Sequence, residues 1–537
     1  MSTNEQRLPQ EEPGRESAKR WVITLWLTVV GSGLVILFSC NFHQDEHFYA
    51  YAVRLASQGQ ILYRDFYFNQ TPVMPYAYAP MQWLLPGNLL ALRLLTLALG
   101  AAGLAVLARV AWHRFGPMTA VFLLLFSLNG GMQYLFSTTK IYALGTLFLA
   151  LSLAFVWPRK WRPWYAVAAG VLMALAVLTR LSFLPGLPLL VIYMACRSDL
   201  PGNRWMTATL AAAGGGAALA AIAGVFIWLA PYEFYMNIYA VNASAGVAAD
   251  EITMRRILWG LIPFGSKIIR DYGFVLMSFA ALLPWLLHTI WNRRRSGSLK
   301  PTADELAYAF LILLAGLIFG VHLKRPMPYH EYVVIIVPVA ALGAGIVWQR
   351  IWSSLPEAST RFLLVAGIVL MIAAGWGSQW VSVLELNGRR LPISRLQEVA
   401  AALAQEVQPG EKVYTFYPVI AYMADAEVPT PMAFPIHLTF FTPEDADRLH
   451  ALQLEDLPLW LTDPSVTAVV GQDNPKKEWW TAETRQILAR DFELVKTVPY
   501  VDLGSGPMNT FVYRRVATPP AATAADDAPE PATRQDD

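Results

Sequence analysis

The sequence is short of charge. Lys, Arg, Asp and Glu make up 15% of its 537 residues, against about 25% in an ordinary soluble domain. A conventional water-soluble enzyme is therefore not the first expectation. The charges nearly cancel, leaving a net +2, so no global field points to nucleic acid and none is expected as a partner. Cysteine is scarce as well. Cys40 and Cys196 each follow an apolar run, and those runs are expected to end on opposite membrane faces, so no disulfide framework is expected. The chain has no HExxH motif and no internal repeat. About twenty polar residues precede the first apolar run, which lacks a convincing small-x-small cleavage site and reads as a retained signal-anchor helix.

Apolar and aromatic residues are abundant instead. Hydrophobic residues reach 55%, with 19 Trp and 22 Tyr, types that gather at bilayer interfaces. The mean hydropathy is +0.39. Apolar runs long enough to cross, or nearly so, recur at 21–39, 89–112, 117–135, 141–157, 164–179, 182–196, 206–230, 273–291, 306–322, 332–348 and 361–383. They predict about eleven spans. Lys19/Arg20, Arg109/Arg114, Arg159/Lys160/Arg162, Arg197/Arg204, Arg293–Arg295/Lys300 and Arg350/Arg361 fall in connections of one side, which the positive-inside rule makes cytoplasmic. An odd number of spans puts the C-terminal region outside.

That region is polar and mixed. Ser394–Val407 has helical spacing, Pro409-Gly410 breaks it, and 412–417, 468–471 and 510–513 read as strands. The expected fold class is an α-helical polytopic membrane protein with a small C-terminal α/β extracytoplasmic domain. Its parts are a cytoplasmic tail (1–20), a transmembrane domain (21–383), the α/β domain (384–515) and a Pro/Ala/Asp-rich tail (516–537) expected to be disordered. The membrane is expected to be a bacterial inner or plasma membrane.

Polar density concentrates in the outer loops. The first, 40–86, opens with Cys40-Asn41-Phe42-His43-Gln44-Asp45-Glu46-His47 and continues through Tyr63-Arg64-Asp65 to Asn69-Gln70-Thr71-Pro72. Asp45 has two readings: an N-cap for a following surface helix, or a functional carboxylate. Glu46 reads as a solvated charge favoured by the helix dipole. His43 and His47, four apart, have metal-ligand spacing but lack a compelling third ligand. The second loop, 231–272, carries an amphipathic pattern with Arg255, Arg256, Lys267 and Arg270 on its polar side. Such an element suits lipid anchoring or recognition of a lipid phosphate. A third connection, His322 to Glu331, packs Lys324, Arg325, His330 and Glu331 between two spans. That density on the outer side favours a site.

In this order, Asp45-Glu46, Gly59…Tyr63-Arg64-Asp65, Thr71-Pro72, Ala91-Leu92-Arg93-Leu94-Leu95, Leu178-Thr179-Arg180 and Tyr329-His330-Glu331-Tyr332 resemble the GT-C integral-membrane glycosyltransferases. This superfamily includes protein O-mannosyltransferases and the transferases that place aminoarabinose on lipid A. The resemblance runs from about Asp45 to Val383. It implies a polyprenyl-phosphate sugar as donor, a hydroxyl of a glycan, lipid or protein as acceptor, and Asp45 as general base with Glu46 positioning the acceptor or the loop. Asp65 is the second candidate for the base; otherwise it is a turn residue or the ion-pair partner of Arg64. Two departures stand out. Gln70 occupies a place where relatives in the lipid A branch often have Lys, and Lys140 enters the fourth span where many relatives have an acid. The cations expected to hold the donor phosphate are Arg64, Lys140, Arg255, Arg256 and Lys324. A monophosphate leaving group held by cations makes no metal obligatory, and attack opposite the phosphate implies inversion. The competing class is a transporter or flippase of a lipid-linked substrate. Against it, the sequence shows no inverted repeat, no interrupted helix pair and few charges inside the spans.

Overall fold

The structure is a computed structural model. It describes residues 15–40, 45–200, 202–241, 268, 272–297, 300–322, 330–355, 357, 359–361, 366, 367, 369, 392–408, 410–433, 442–472, 481–502 and 507–516. The catalogue of spans above thus extends past it, and the run 361–383 lies almost wholly outside the described residues.

Among the described residues, ten α-helices carry residues 15–229: α1 (Arg15–Ser39), α2 (Glu46–Ser57), α3 (Val73–Leu84), α4 (Leu89–Arg114), α5 (Pro117–Ser127), α6 (Gly130–Phe136), α7 (Ile141–Val156), α8 (Trp164–Thr179), α9 (Gly186–Cys196) and α10 (Arg204–Leu229). Helices Tyr272–Arg295, Ala303–His322 and Val337–Ser354 follow. Among the described residues, α1, α4, α10, Tyr272–Arg295 and Ala303–His322 are long and apolar enough to cross a membrane, and α7, α8 and the 181–196 segment are apolar but shorter. The protein is an integral membrane protein. Close helix contacts fall at glycines. A Cβ on Gly170 would meet the Ala211 carbonyl oxygen at 2.0 Å, and one on Gly214 the Val167 carbonyl oxygen at 2.5 Å, so α8 and α10 pack backbone to backbone.

One expectation changes here. The run 117–135 is not one span: α5 and α6 meet at a 77° bend. The cause is local. Asn129 caps α6 by accepting from the Met132 N–H (3.2 Å). Gln133 then donates to the Ser127 carbonyl oxygen (2.8 Å), satisfying a carbonyl that the break leaves free. An interrupted pair therefore exists, although no Pro marks it. Its second arm delivers Ser137–Lys140 to the middle of the bundle. Ser137 Oγ donates to the Gly33 carbonyl oxygen of α1 (3.0 Å).

The C-terminal region forms a four-stranded sheet: β1 (Lys412–Thr415), β2 (Val466–Gln472), β3 (Phe492–Asp502) and β4 (Pro507–Arg515), in the order β1-β2-β4-β3. β1 and β2 run parallel and the other pairs antiparallel. β3 is absent from the strands read in the sequence. It contains Pro499, which an edge strand tolerates, and its register with β4 shifts between Val498 and Val501.

The loop after α1 and the α/β unit share one apolar core. Tyr51, Phe66, Phe68 and Tyr78 from 45–86 pack with Leu403, Tyr414, Ile420 and Val469. Tyr51 Oη accepts from the Val428 N–H (2.9 Å), and Arg54, 5% exposed, pairs with Asp425 (3.0 Å). The α/β unit therefore sits on the Asp45 end of the bundle as part of the same body.

Candidate active site

The site starts at the first turn of α2, which follows the C-terminal end of α1 in the sequence. Asp45 occupies the N-cap position of α2, and its side chain makes no capping hydrogen bond. Its carboxylate meets Lys140 instead, Oδ2 to Nζ at 3.0 Å, and is 37% exposed whereas the Lys140 side chain is fully buried. Lys140 also donates to Glu331 Oε2 at 2.6 Å; that side chain is 17% exposed. One buried ammonium thus joins two carboxylates that are both partly exposed. Burial alone disfavours the ammonium, but the charge of Asp45, followed by Tyr142 and Glu331, outweighs it and raises the Lys140 pKa above the ordinary lysine value.

Glu46 points the other way and is not a solvated surface charge. It is fully buried against Arg93 of α4. Arg93 Nε donates to Oε1 at 2.9 Å and Nη2 to Oε2 at 2.6 Å, the fork geometry that makes Arg–carboxylate pairs directional. The Thr139 N–H donates to the same Oε1 at 2.7 Å. Adjacent residues are therefore locked in parallel: Glu46 holds Thr139, and Asp45 meets Lys140.

Behind this pair lies Arg180, at the end of α8 and 9% exposed. Its guanidinium carbon sits 4.9 Å from the Tyr142 ring centre and 5.0 Å from that of Tyr332, cation–π distances that stabilise a desolvated charge. Its Nε has no hydrogen-bond partner among the described residues. Arg93 and Arg180 are the two residues that reading for outer-loop polarity passed over as site members. The available signal was an arginine inside or at the end of an apolar run, which defaults to a functional or paired role.

Arg64, Asp65 and Gln70 lie elsewhere in the loop. Arg64 Nε and Nη2 donate to Asp65 at 2.7 and 3.0 Å. Asp65 also accepts from the Ile61 N–H at 2.7 Å, closing the turn. Burial opposes the Asp65 charge, but the Arg64 fork and the Ile61 N–H hold its carboxyl below the usual carboxylate value. Tyr63 stands in this turn at φ 71°, a left-handed conformation costly for a bulky residue. Its buried ring, edge-on to Phe226 and Phe234 at 5.4 and 5.3 Å, holds it there. Gln70 donates to Asn69 Oδ1 (3.1 Å), and its carbonyl oxygen accepts from Tyr63 Oη (2.7 Å). The structure thus groups Asp45, Lys140 and Glu331 and puts the Arg64–Asp65 pair in the turn. Arg255, Arg256, Lys267, Arg270, Lys324, Arg325 and His43 lie outside the described residues. His330 opens a short 3-10 helix that carries Glu331. Among the described residues no three His, Cys, Asp or Glu side chains cluster as metal ligands.

This chain has the GT-C fold of polytopic membrane proteins, shared with two solved structures. ArnT from Cupriavidus metallidurans, solved bound to undecaprenyl phosphate, superposes with a TM-score of 0.60 at 16% identity, over 92% of this chain and 98% of that one. The archaeal oligosaccharyltransferase AglB from Archaeoglobus fulgidus, in complex with an inhibitory peptide and a dolichol-phosphate, superposes with a TM-score of 0.53 at 11% identity, over 91% of this chain and 74% of that one. No family model matches the chain, and no curated protein matches it in sequence.

Proposed function

We propose that the protein transfers a sugar from a polyprenyl-phosphate donor to a hydroxyl of a lipid, glycan or protein on the outer face of the membrane. The observation that carries this reading is the half-open Asp45 carboxylate, fixed by the buried Lys140 ammonium beside Arg180. A general base, a cationic seat for a phosphate and an apolar bundle around them are the parts this transfer needs. The solved neighbours' lipid phosphates support the same donor class.

Asp45 takes the proton of the acceptor hydroxyl while the acceptor oxygen forms the new bond to C1 of the sugar. The C1–O bond to phosphate breaks, and the electron pair leaves on the phosphate. Attack from the face opposite that oxygen inverts C1. In the free protein Lys140 is paired with Asp45 at 3.0 Å. A donor phosphate competes for the same ammonium and frees the carboxylate to accept a proton. Arg180, with Nε unused, and Lys140 then neutralise the leaving group, so a divalent metal is not required. Glu331 keeps Lys140 in place throughout, and Glu46 positions Asp45 and Lys140 through their chain neighbours.

The test is transfer of radiolabelled sugar from a panel of polyprenyl-phosphate sugars in membranes containing the protein, beside Asp45→Asn. Asn preserves size but not basicity, so a drop of about 100-fold or more is expected. Equal labelling by a folded variant refutes Asp45 as the base. No labelling by the wild type with any donor refutes the reaction and returns the lipid-linked transporter to the front.

A further inference from the structure

At the end of the bundle opposite Asp45, the first turns of α1 and the last turns of α4 stand apart over a groove of about 770 Å³, a size within the range of small-molecule sites. Its floor is apolar: Trp26 of α1, Ala105 and Ala108 of α4, and Leu124 of α5. Its mouth is cationic: Arg15 and Lys19 of α1, Arg109 and His113 of α4, and Arg159 from the connection after α7. Glu16 is the single carboxylate among the described residues lining it. Arg159 faces an imidazole rather than an acid, its Nη2 3.0 Å from His113 Nδ1.

Four strong cations around one acid leave an uncompensated positive field beside an apolar trough. Ile23 and Leu27, which line the groove, are 51% and 56% exposed, so the trough opens onto the lipid-facing side of α1. A free anion would meet the charges and leave the floor empty. A neutral lipid would cover the floor and leave the charges unmet. Only an anion with an acyl tail satisfies both. The donor site is not the same place: α1 has 25 residues, a length of roughly 37 Å at 1.5 Å per residue, and Asp45 lies past its far end.

We propose that this groove binds one anionic phospholipid from the leaflet opposite the active site. Its phosphate sits among Arg109, His113 and Arg159, and an acyl chain lies along Trp26 and the α4 alanines. The site fixes α1 against α4 at the end remote from chemistry.

Native mass spectrometry of the purified full chain in neutral detergent tests this, with phosphatidylglycerol and phosphatidylcholine of matched acyl chains as probes. One phosphatidylglycerol should be retained at a concentration about tenfold below that needed for phosphatidylcholine. Arg109→Ala/Arg159→Ala should abolish the difference. Arg293→Ala/Arg294→Ala, at residues that do not line the groove, should keep it. Millimolar inorganic phosphate should leave the bound lipid in place. Equal retention of both lipids by the wild type overturns the proposal, as does full retention by the groove variant or displacement by phosphate. If the groove variant fails to fold, the wild-type preference and the phosphate competition decide the matter by themselves.

Discussion

Lys140 is the residue on which the site turns, and its neighbours set what each substitution does. Lys140→Met removes the cation between Asp45 and Glu331 and leaves two carboxylates beside a buried apolar stub. Both remaining carboxylates are partly exposed, so the loss should be smaller than the about 3–5 kcal/mol of stranding a fully buried charge. Transfer should fall strongly and thermal stability by less, the latter read in detergent by a thermal shift. Asp45→Asn should spare stability by comparison, because its carboxylate is partly open. Asp65 behaves differently again. Its folded pKa is depressed, so its contribution is present above the unfolded carboxylate value of about 3.9 and is lost as pH falls through the lower folded value. The stability gap between the wild type and Asp65→Asn should therefore be constant from pH 8 to 5 and close below about pH 4. The Lys140 pKa moves upward, so its pair contributes fully below the unfolded lysine value and fades only in strong alkali. A thermal-shift series from pH 6 to 9 should show no step from it.

At the level of elements, the Glu46–Arg93 pair clamps the start of α2 to α4 and, through Thr139, to the arm that carries Lys140. Arg93→Met should cost about 3–5 kcal/mol by stranding a buried carboxylate. Glu46→Gln/Arg93→Met should recover part of that loss in the same melt, since neither charge is then alone. The α5–α6 bend makes a second test. Asn129→Ala removes the cap of a seven-residue helix and should cost about 1 kcal/mol. Its effect on transfer should exceed that small cost, because the arm that follows positions Lys140.

Across the whole molecule, the α/β unit and the 45–86 segment after α1 bury their apolar residues against each other. Truncation before the 392–406 helix should therefore expose Tyr51, Phe66 and Phe68 and yield an aggregated protein, not a folded one with altered acceptor choice. Size-exclusion chromatography of the truncated chain distinguishes these outcomes. Arg54→Ala, which loses the contact to Asp425, is the milder version and should loosen the interface without abolishing the fold.

Composition and periodicity by themselves determined that this is a membrane bundle, where most of its helices lie, and that a polar α/β unit closes the chain. Those properties depend on transfer to lipid and on local hydrogen bonding, which each segment carries alone. The bend at Asn129 escaped because an apolar run reads the same whether straight or broken, and β3 escaped because its edge position excuses a proline. The site divided the same way. Asp45 was visible as a carboxylate where an apolar run ends, but on spacing alone two readings of it stood equal, and only the family resemblance favoured the base. Only the tertiary structure, bringing Lys140 from 95 residues away in the sequence to 3.0 Å of it, gave the side chain a partner other than its own helix. Glu46 likewise reads as a surface charge until Arg93 is folded onto it. Charges take their function from their neighbours, and in this chain those neighbours are distant in sequence.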